Sequence, residues 1–152
     1  MKLGLGTYLF AVMALVAGMM MPTQAAINNR LAGYVESPVL AALISFAVGT
    51  LALFVYALAT GENLASLSGL GNASLISWLG GLLGAFFVAS AVILVPRLGV
   101  ALTFSLIVAG QMFITLFLDH YGFLGVPVKE VSVLRLVGVA MVVGGVVLIR
   151  KF

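Results

Sequence analysis

Residues 38–59 read PVLAALISFAVGTLALFVYALA and contain no charged side chain. The run opens on Ser37-Pro38, which suits a helix start because proline in the first turn gives up no hydrogen bond. About 20 apolar residues make a helix as long as the hydrocarbon core of a bilayer is thick. Apolar residues lie on all faces of the run, whereas a membrane-barrel strand would alternate. Residues 38–59 are therefore predicted to cross a membrane as an α-helix.

Four more runs of the same kind flank this one. The predicted spans are residues 3–21, 38–59, 75–95, 100–118 and 131–149, in one transmembrane domain covering 1–152. The first run is longer than the apolar core of a usual signal peptide, so we expect it to be retained. Pro22 then permits a kink, followed by a more polar helical extension to about Leu31. The fold class is all-α integral membrane, with five transmembrane helices.

The connections carry turn-forming residues. Gly61–Ser74 is rich in glycine, serine and asparagine and is predicted to be a loop. Pro96–Gly99 is predicted to be a tight turn, and Asp119–Glu130 a polar connection.

The composition leaves little room for a water-soluble domain. Of 152 residues, 64% are hydrophobic and 7% are charged, whereas soluble domains carry roughly 25% charged residues. The chain has no cysteine and one histidine, so we expect no metal site and no cofactor. Its basic residues sit singly at the ends of apolar runs and not in a patch, which argues against nucleic-acid binding. No nucleophile motif or pair of deep carboxylates indicates an enzyme.

The basic residues are shared almost evenly between the two faces of the membrane. With five spans, one face holds Lys2, Lys129 and Arg135, and the other holds Arg30, Arg97, Arg150 and Lys151. Membrane proteins orient through the asymmetry of these residues, and three against four is nearly none. The count favours insertion in both orientations and a ten-helix antiparallel homodimer, an inverted-repeat arrangement common among secondary transporters. The alternative is one weakly favoured orientation set by a partner or by lipid.

Two groups of polar residues lie where lipid exposure would be costly. Gln24 and Asn28 are four residues apart and share a helix face just after Pro22. Gln111, Thr115 and Asp119 form a stripe along the fourth span, with Gln111 deepest. Each group either lines a solute cavity or forms hydrogen bonds between helices.

Other side chains leave two interpretations open. Trp78 is a membrane-interface aromatic residue or a surface that stacks on an organic cation. Asp119 and His120 are a proton relay or an interfacial pair in water. No acidic residue lies deep in any predicted span, which weakens the case for proton antiport.

Small residues cluster in the third and fifth spans. The third contains Gly80, Gly81 and Gly84, and the fifth contains Ala140, Gly144 and Gly145. Small side chains let helices approach closely in lipid, so these residues are predicted to pack helices, either within one chain or across a dimer.

Short motifs along nearly the whole chain resemble the YdcZ-like family of bacterial inner-membrane proteins. They are QAAINNRL (24–31), SPVLAA (37–42), SFAVGT (45–50), WLGGLLG (78–84), VPRLG (95–99), GQ (110–111), DHYG (119–122) and RLVG (135–138). The resemblance implies a five-helix protein of the drug/metabolite transporter superfamily, related to the small multidrug resistance transporters. Those relatives work as antiparallel dimers and use a glutamate in the first helix, which this chain lacks. The family also contains paired and fused forms, so it admits a heteromeric partner.

The function predicted from these features is secondary transport, as an exporter, of a small organic solute by alternating access in the bacterial inner membrane. The expected partners are membrane lipid, a second copy of the chain and the solute. The alternatives are a channel or passive facilitator, and a non-transporting assembly or regulatory subunit.

Overall fold

The structure is a computed structural model that describes residues 5–152. Its long helices are α1 (Leu5–Val35), α2 (Pro38–Ala59), α3 (Leu75–Leu98), α4 (Val100–Tyr121) and α5 (Val133–Lys151). All five are long and apolar enough to cross a membrane, and all regular structure within residues 5–152 is helical. The prediction of an all-α chain with five such helices is confirmed. Lys2 and the predicted start of the first span at residue 3 lie outside the described residues.

The helices form two compact units, one ending at Pro96 and the other covering Arg97–Phe152. The first contains α1, α2 and nearly all of α3, and the second contains α4 and α5.

Helices α1 and α2 form a tight antiparallel hairpin. Only Glu36 and Ser37 separate them, and Glu36 reverses the chain with a left-handed φ of 53°. Ser37 caps α2, because its Oγ accepts a hydrogen bond from the Leu40 N–H at 3.3 Å. Pro38 then occupies the first turn, as predicted.

Helix α1 continues through Pro22 to Val35, four residues beyond the predicted end of its extension. Proline cannot donate to the carbonyl four residues earlier, which is that of Gly18. One residue further along, the Thr23 Oγ1 donates to the Met19 carbonyl at 2.9 Å. Pro22 therefore removes one backbone hydrogen bond inside a helix that is otherwise uninterrupted.

The buried apolar residues are small. They are Ala25, Ala41, Ala42, Val88, Ala91, Val92, Val95, Ala109, Val139 and Val146, while most leucines and phenylalanines face outward. Lipid is as apolar as leucine, so helices in a membrane associate through close packing of small side chains. The outward leucines and phenylalanines are the surface that lipid would cover.

The glycines that were predicted to pack helices are, with one exception, not in contact with another helix of the described chain. A Cβ built on Gly80, Gly81, Gly144 or Gly145 would meet no described atom within 4 Å, whereas one on Gly84 would lie 3.5 Å from the Phe46 ring. Ala140 is also exposed. Within the described chain the close contacts are made by alanine and valine, and a role for these glycines between chains stays a prediction.

Two predicted connections have more helix than expected. Helix α3 includes Pro96 and ends at Leu98, so Gly99, with a φ of 78°, is the only residue between α3 and α4. The region predicted as the loop Gly61–Ser74 contains a 3-10 helix over Leu64–Asn72, begun by Asn63, whose side chain accepts from the Ala65 N–H at 3.0 Å. The Asn63 cap satisfies a backbone N–H at the start of the 3-10 helix, whereas Gly99 provides no side-chain cap for α4.

Candidate functional site

A groove of about 630 Å³ lies along the α1–α2 hairpin, within the size range of small-molecule sites. It is lined by Val16, Met19, Met20, Thr23, Gln24, Ile27, Asn28 and Leu31 from α1 and by Ile44, Ser45 and Val48 from α2. Among the described residues, none that lines the groove is charged. The groove therefore offers a mainly apolar surface with amide and hydroxyl groups at a few points.

Asn28 is the most deeply buried of these polar residues. Its side chain is 3% exposed, and its Nδ2 has no hydrogen-bond partner among the described residues. Ala25, one turn earlier on the same face, and Ala41 and Ala42 on α2 are also buried, and these small side chains let the helices approach closely. An unsatisfied buried donor costs about 1–3 kcal/mol, so any group that accepts a hydrogen bond from Asn28 gains that free energy.

Gln24 lies one turn before Asn28 and is exposed. Together with Ser45, it borders both the large groove and a smaller one of about 190 Å³ that includes Thr50. The structure thus brings the predicted pair Gln24 and Asn28 together on one surface and adds hydroxyl groups from α2.

The hairpin geometry indicates how deep this surface lies in the membrane. Helix α2 has 22 residues, or about 33 Å at 1.5 Å per residue, so it fills a hydrocarbon core of about 30 Å by itself. Because α1 and α2 meet at the same end, positions on α1 can be measured from Val35. Asn28 lies seven residues before it, about 10 Å, and Gln24 lies eleven residues before it, about 16 Å. Gln24 is therefore level with the middle of α2.

The second unit contains an ion pair between α4 and α5. The Arg135 guanidinium binds the Asp119 carboxylate through Nη2, and the two side chains are 33% and 21% exposed. Its Nη1 also donates to the Lys129 carbonyl at 2.9 Å. Arg135 therefore ties the end of α4 to the start of α5 and to the chain between them.

The connection itself is folded around Gly122. This glycine ends α4 with a left-handed φ of 63°, and a Cβ built on it would lie 2.7 Å from the Val128 Cγ2. The backbone N–H of Lys129 donates to the Asp119 carbonyl at 2.8 Å. His120 accepts a hydrogen bond at Nδ1 from the Val131 N–H at 3.3 Å. Asp119 and His120 thus contact different groups, Arg135 and the Val131 backbone, and these bonds give each a structural role.

The other predicted polar residues of α4 lie at its surface. Gln111 and Thr115 are exposed, and the Thr115 Oγ1 donates to the Gln111 carbonyl at 2.6 Å. Thr115 borders a groove of about 340 Å³ together with Arg135 and Gly138. Trp78, on α3 of the first unit, is 57% exposed and does not line the large groove.

The chain matches the family model described as "Putative inner membrane exporter, YdcZ" over residues 9–148. It belongs to the YdcZ family. No curated protein and no solved structure matches it.

Membership of the YdcZ family confirms the resemblance found in the sequence motifs, the inner-membrane location and the assignment to membrane transport. It also supports a transporter over an enzyme. Within this YdcZ chain, the groove along α1–α2 combines volume, depth and an unsatisfied donor. We take this groove as the candidate functional site.

Sequence reasoning missed several groups that the structure places at these sites. Ser45 and Thr50 lie in the SFAVGT motif, and Thr23 follows Pro22, but no role was assigned to any of them. A helix pair joined by two residues would have placed Ser45 opposite Asn28, had the end of α1 been known. The Asp119–Arg135 pair was missed because Arg135 was counted only as an interfacial cation.

Proposed function

We propose that this YdcZ-family protein exports a small organic solute by alternating access, with the groove along α1 and α2 as the solute site. The observation that carries the proposal is the buried Asn28 amide, which borders the groove and has no partner for its Nδ2 within residues 5–152. Transporter solute sites commonly lie near the bilayer midplane at interrupted helices. Gln24 at that depth and Pro22 in the same helix support the proposal.

The unsatisfied donor also supplies a reason for the site to open. The packed hairpin covers the Asn28 Nδ2, so a solute reaches this atom only when the hairpin loosens around it. The unsatisfied donor makes the closed, empty state less stable. This cost is removed when a solute supplies an acceptor or when the groove opens and admits water. Pro22 removes one restraint on bending α1 in the turn before this face.

We expect the Asn28→Leu variant to lose solute export, because leucine keeps the branched heavy-atom shape of the asparagine side chain but donates no hydrogen bond. Proteoliposomes would be loaded with the small-molecule fraction of a bacterial extract, and mass spectrometry would identify solutes that leave with wild-type protein. At least one solute should leave about tenfold faster with the wild type than with the variant, since about 1.4 kcal/mol corresponds to tenfold.

The same assay separates the alternatives. Exchange stimulated by solute on the opposite side supports alternating access, whereas efflux without such stimulation indicates a channel. Vesicles that release nothing beyond protein-free controls would contradict transport by this chain alone. The matched control is Leu43→Ile on the outward face of α2, where Leu43 is exposed and lines neither groove, and this variant should export at the wild-type rate.

We further propose that the protein works as an antiparallel homodimer with both orientations present. The support from sequence is the nearly even count of lysine and arginine, three on one face of the membrane and four on the other. The positive-inside rule counts lysine and arginine and gives acidic residues little weight, so the Asp119–Arg135 pair leaves this balance unchanged. The open faces at Gly80, Gly81, Gly144 and Gly145 leave space for close contact with a second chain.

This proposal predicts dual labelling of single cysteines on opposite faces. The chain has no native cysteine, and Ser66→Cys and Phe152→Cys alter exposed positions without changing the charge count. A membrane-impermeant maleimide applied to whole cells should label each variant to about half of the level reached after permeabilisation. Labelling near zero for one variant and near completion for the other would show a single orientation.

A further inference from the structure

The chemistry of the groove restricts the charge of its solute. Its polar groups are the amides of Gln24 and Asn28 and the hydroxyls of Thr23 and Ser45. A charged solute at this depth would leave water without a counter-charge, which is costly in a low-dielectric site. The chain's first acidic residue is Glu36, beyond the end of α1.

The groove also lacks the usual alternative to an acid for binding cations. Among the described residues, none that lines it is aromatic, so no ring face is available for a cation–π contact. Trp78 and Tyr34 are exposed elsewhere in the first unit. The methionines Met19 and Met20 supply an adaptable apolar wall that tolerates variation in shape.

From these observations we propose that the groove selects an uncharged organic solute that presents an acceptor oxygen to the Asn28 Nδ2. This inference rests on the proposed function and specifies the substrate class of the same site. The donor discriminates because a solute without an acceptor leaves it unsatisfied. The apolar wall supplies affinity in proportion to the area it covers.

Three probes of similar shape isolate charge and hydrogen bonding. Triphenylphosphine oxide is neutral with an acceptor oxygen, triphenylmethane is neutral without one, and methyltriphenylphosphonium is a cation without one. Binding would be measured with labelled probes on protein in lipid nanodiscs, with empty nanodiscs subtracted. Wild-type protein should bind the oxide at least tenfold more tightly than either of the other two.

Two variants of Asn28 then test the donor. Asn28→Leu should lower affinity for the oxide about tenfold, to that of triphenylmethane. Asn28→Asp replaces the amide with a carboxyl group of the same shape, and pairing with the phosphonium favours its ionised form, so the order should reverse and the phosphonium should bind most tightly. If the Asp variant does not fold, the Leu variant alone still decides the role of the donor.

The inference is overturned if the wild type binds the phosphonium as tightly as the oxide, if preference for the oxide survives in Asn28→Leu, or if none of the probes binds. These results leave the proposed function standing, because the export assay with bacterial extract does not depend on these probes. If the protein prefers the oxide but exports no solute, the proposed transport would be contradicted, whereas the inferred binding site would still hold.

Discussion

The Ala41→Leu variant is expected to separate α1 from α2 and to abolish solute export. Ala41 is 0% exposed at the start of α2, so there is no free volume for three additional carbon atoms. Overpacking of this kind costs about 1–3 kcal/mol and displaces the backbone. Because Asn28 and Ser45 reach the groove from the two helices, even a small separation would move the amide away from the opposite wall. The expected result is an export rate near that of protein-free vesicles.

A matched control is available on the same helix. Ala47 is exposed on the opposite face of α2 from Ser45 and Val48, and Ala47→Leu makes the same chemical change on a surface that lipid would cover. We expect this variant to export at the wild-type rate. Its free energy of unfolding should lie within about 0.5 kcal/mol of that of the wild type. Denaturant titration in detergent micelles measures the stability of both variants. Equal stability and equal export for the two leucine variants would contradict the close hairpin packing and its role in transport.

The five long helices of this protein could be predicted from its sequence because each is a long apolar run that hydropathy reveals. Residues 38–59 match α2 at both ends, since Ser37 and Pro38 provide a start signal and Thr60 and Gly61 follow the last apolar residue. The end of α1 was predicted less well. The polar residues from Thr23 to Arg30 are predicted to continue the helix only to about Leu31, whereas the structure extends it to Val35 and buries Asn28 within the hairpin. The packing of α1 against α2 decides where α1 ends, and hydropathy carries no information on that packing.

The candidate site was predicted in part for a related reason. Helical spacing correctly placed Gln24 and Asn28 on one face, because four residues make about one turn. Spacing within one helix cannot identify residues contributed by another, so Ser45 was assigned no role. Gln111 illustrates the converse: its depth along α4 predicts that it either lines a cavity or bonds to another helix, and in the described chain this side chain is exposed. The buried donor of Asn28 required coordinates, because burial depends on how closely two helices approach.

Removing the Arg135 side chain is expected to destabilise the protein by about 2 kcal/mol. Arg135→Ala would leave the mostly buried Asp119 carboxylate without its cation and would also remove the hydrogen bond to the Lys129 carbonyl. Hydrogen bonds to charged groups contribute about 1.5–3 kcal/mol. Because both side chains are partly exposed, the expected loss of stability is smaller than for a fully buried pair. Denaturant titration in micelles would measure the change. Arg150→Ala, at the exposed far end of the same helix, should cost less than about 1 kcal/mol.

Two further variants distinguish geometry from charge at this ion pair. Arg135→Lys preserves the charge but loses the planar fork that reaches both Asp119 and the Lys129 carbonyl, so it should recover only part of the lost stability. In an Asp119→Asn background the cost of Arg135→Ala should fall by about 1 kcal/mol or more, because no unpaired carboxylate remains. Equal costs in the two backgrounds would mean that the pair is uncoupled, and that Gly122 and the backbone hydrogen bond from the Lys129 N–H to the Asp119 carbonyl hold α4 and α5 together without it. A measured coupling would show that the ion pair itself fixes the connection between the two helices.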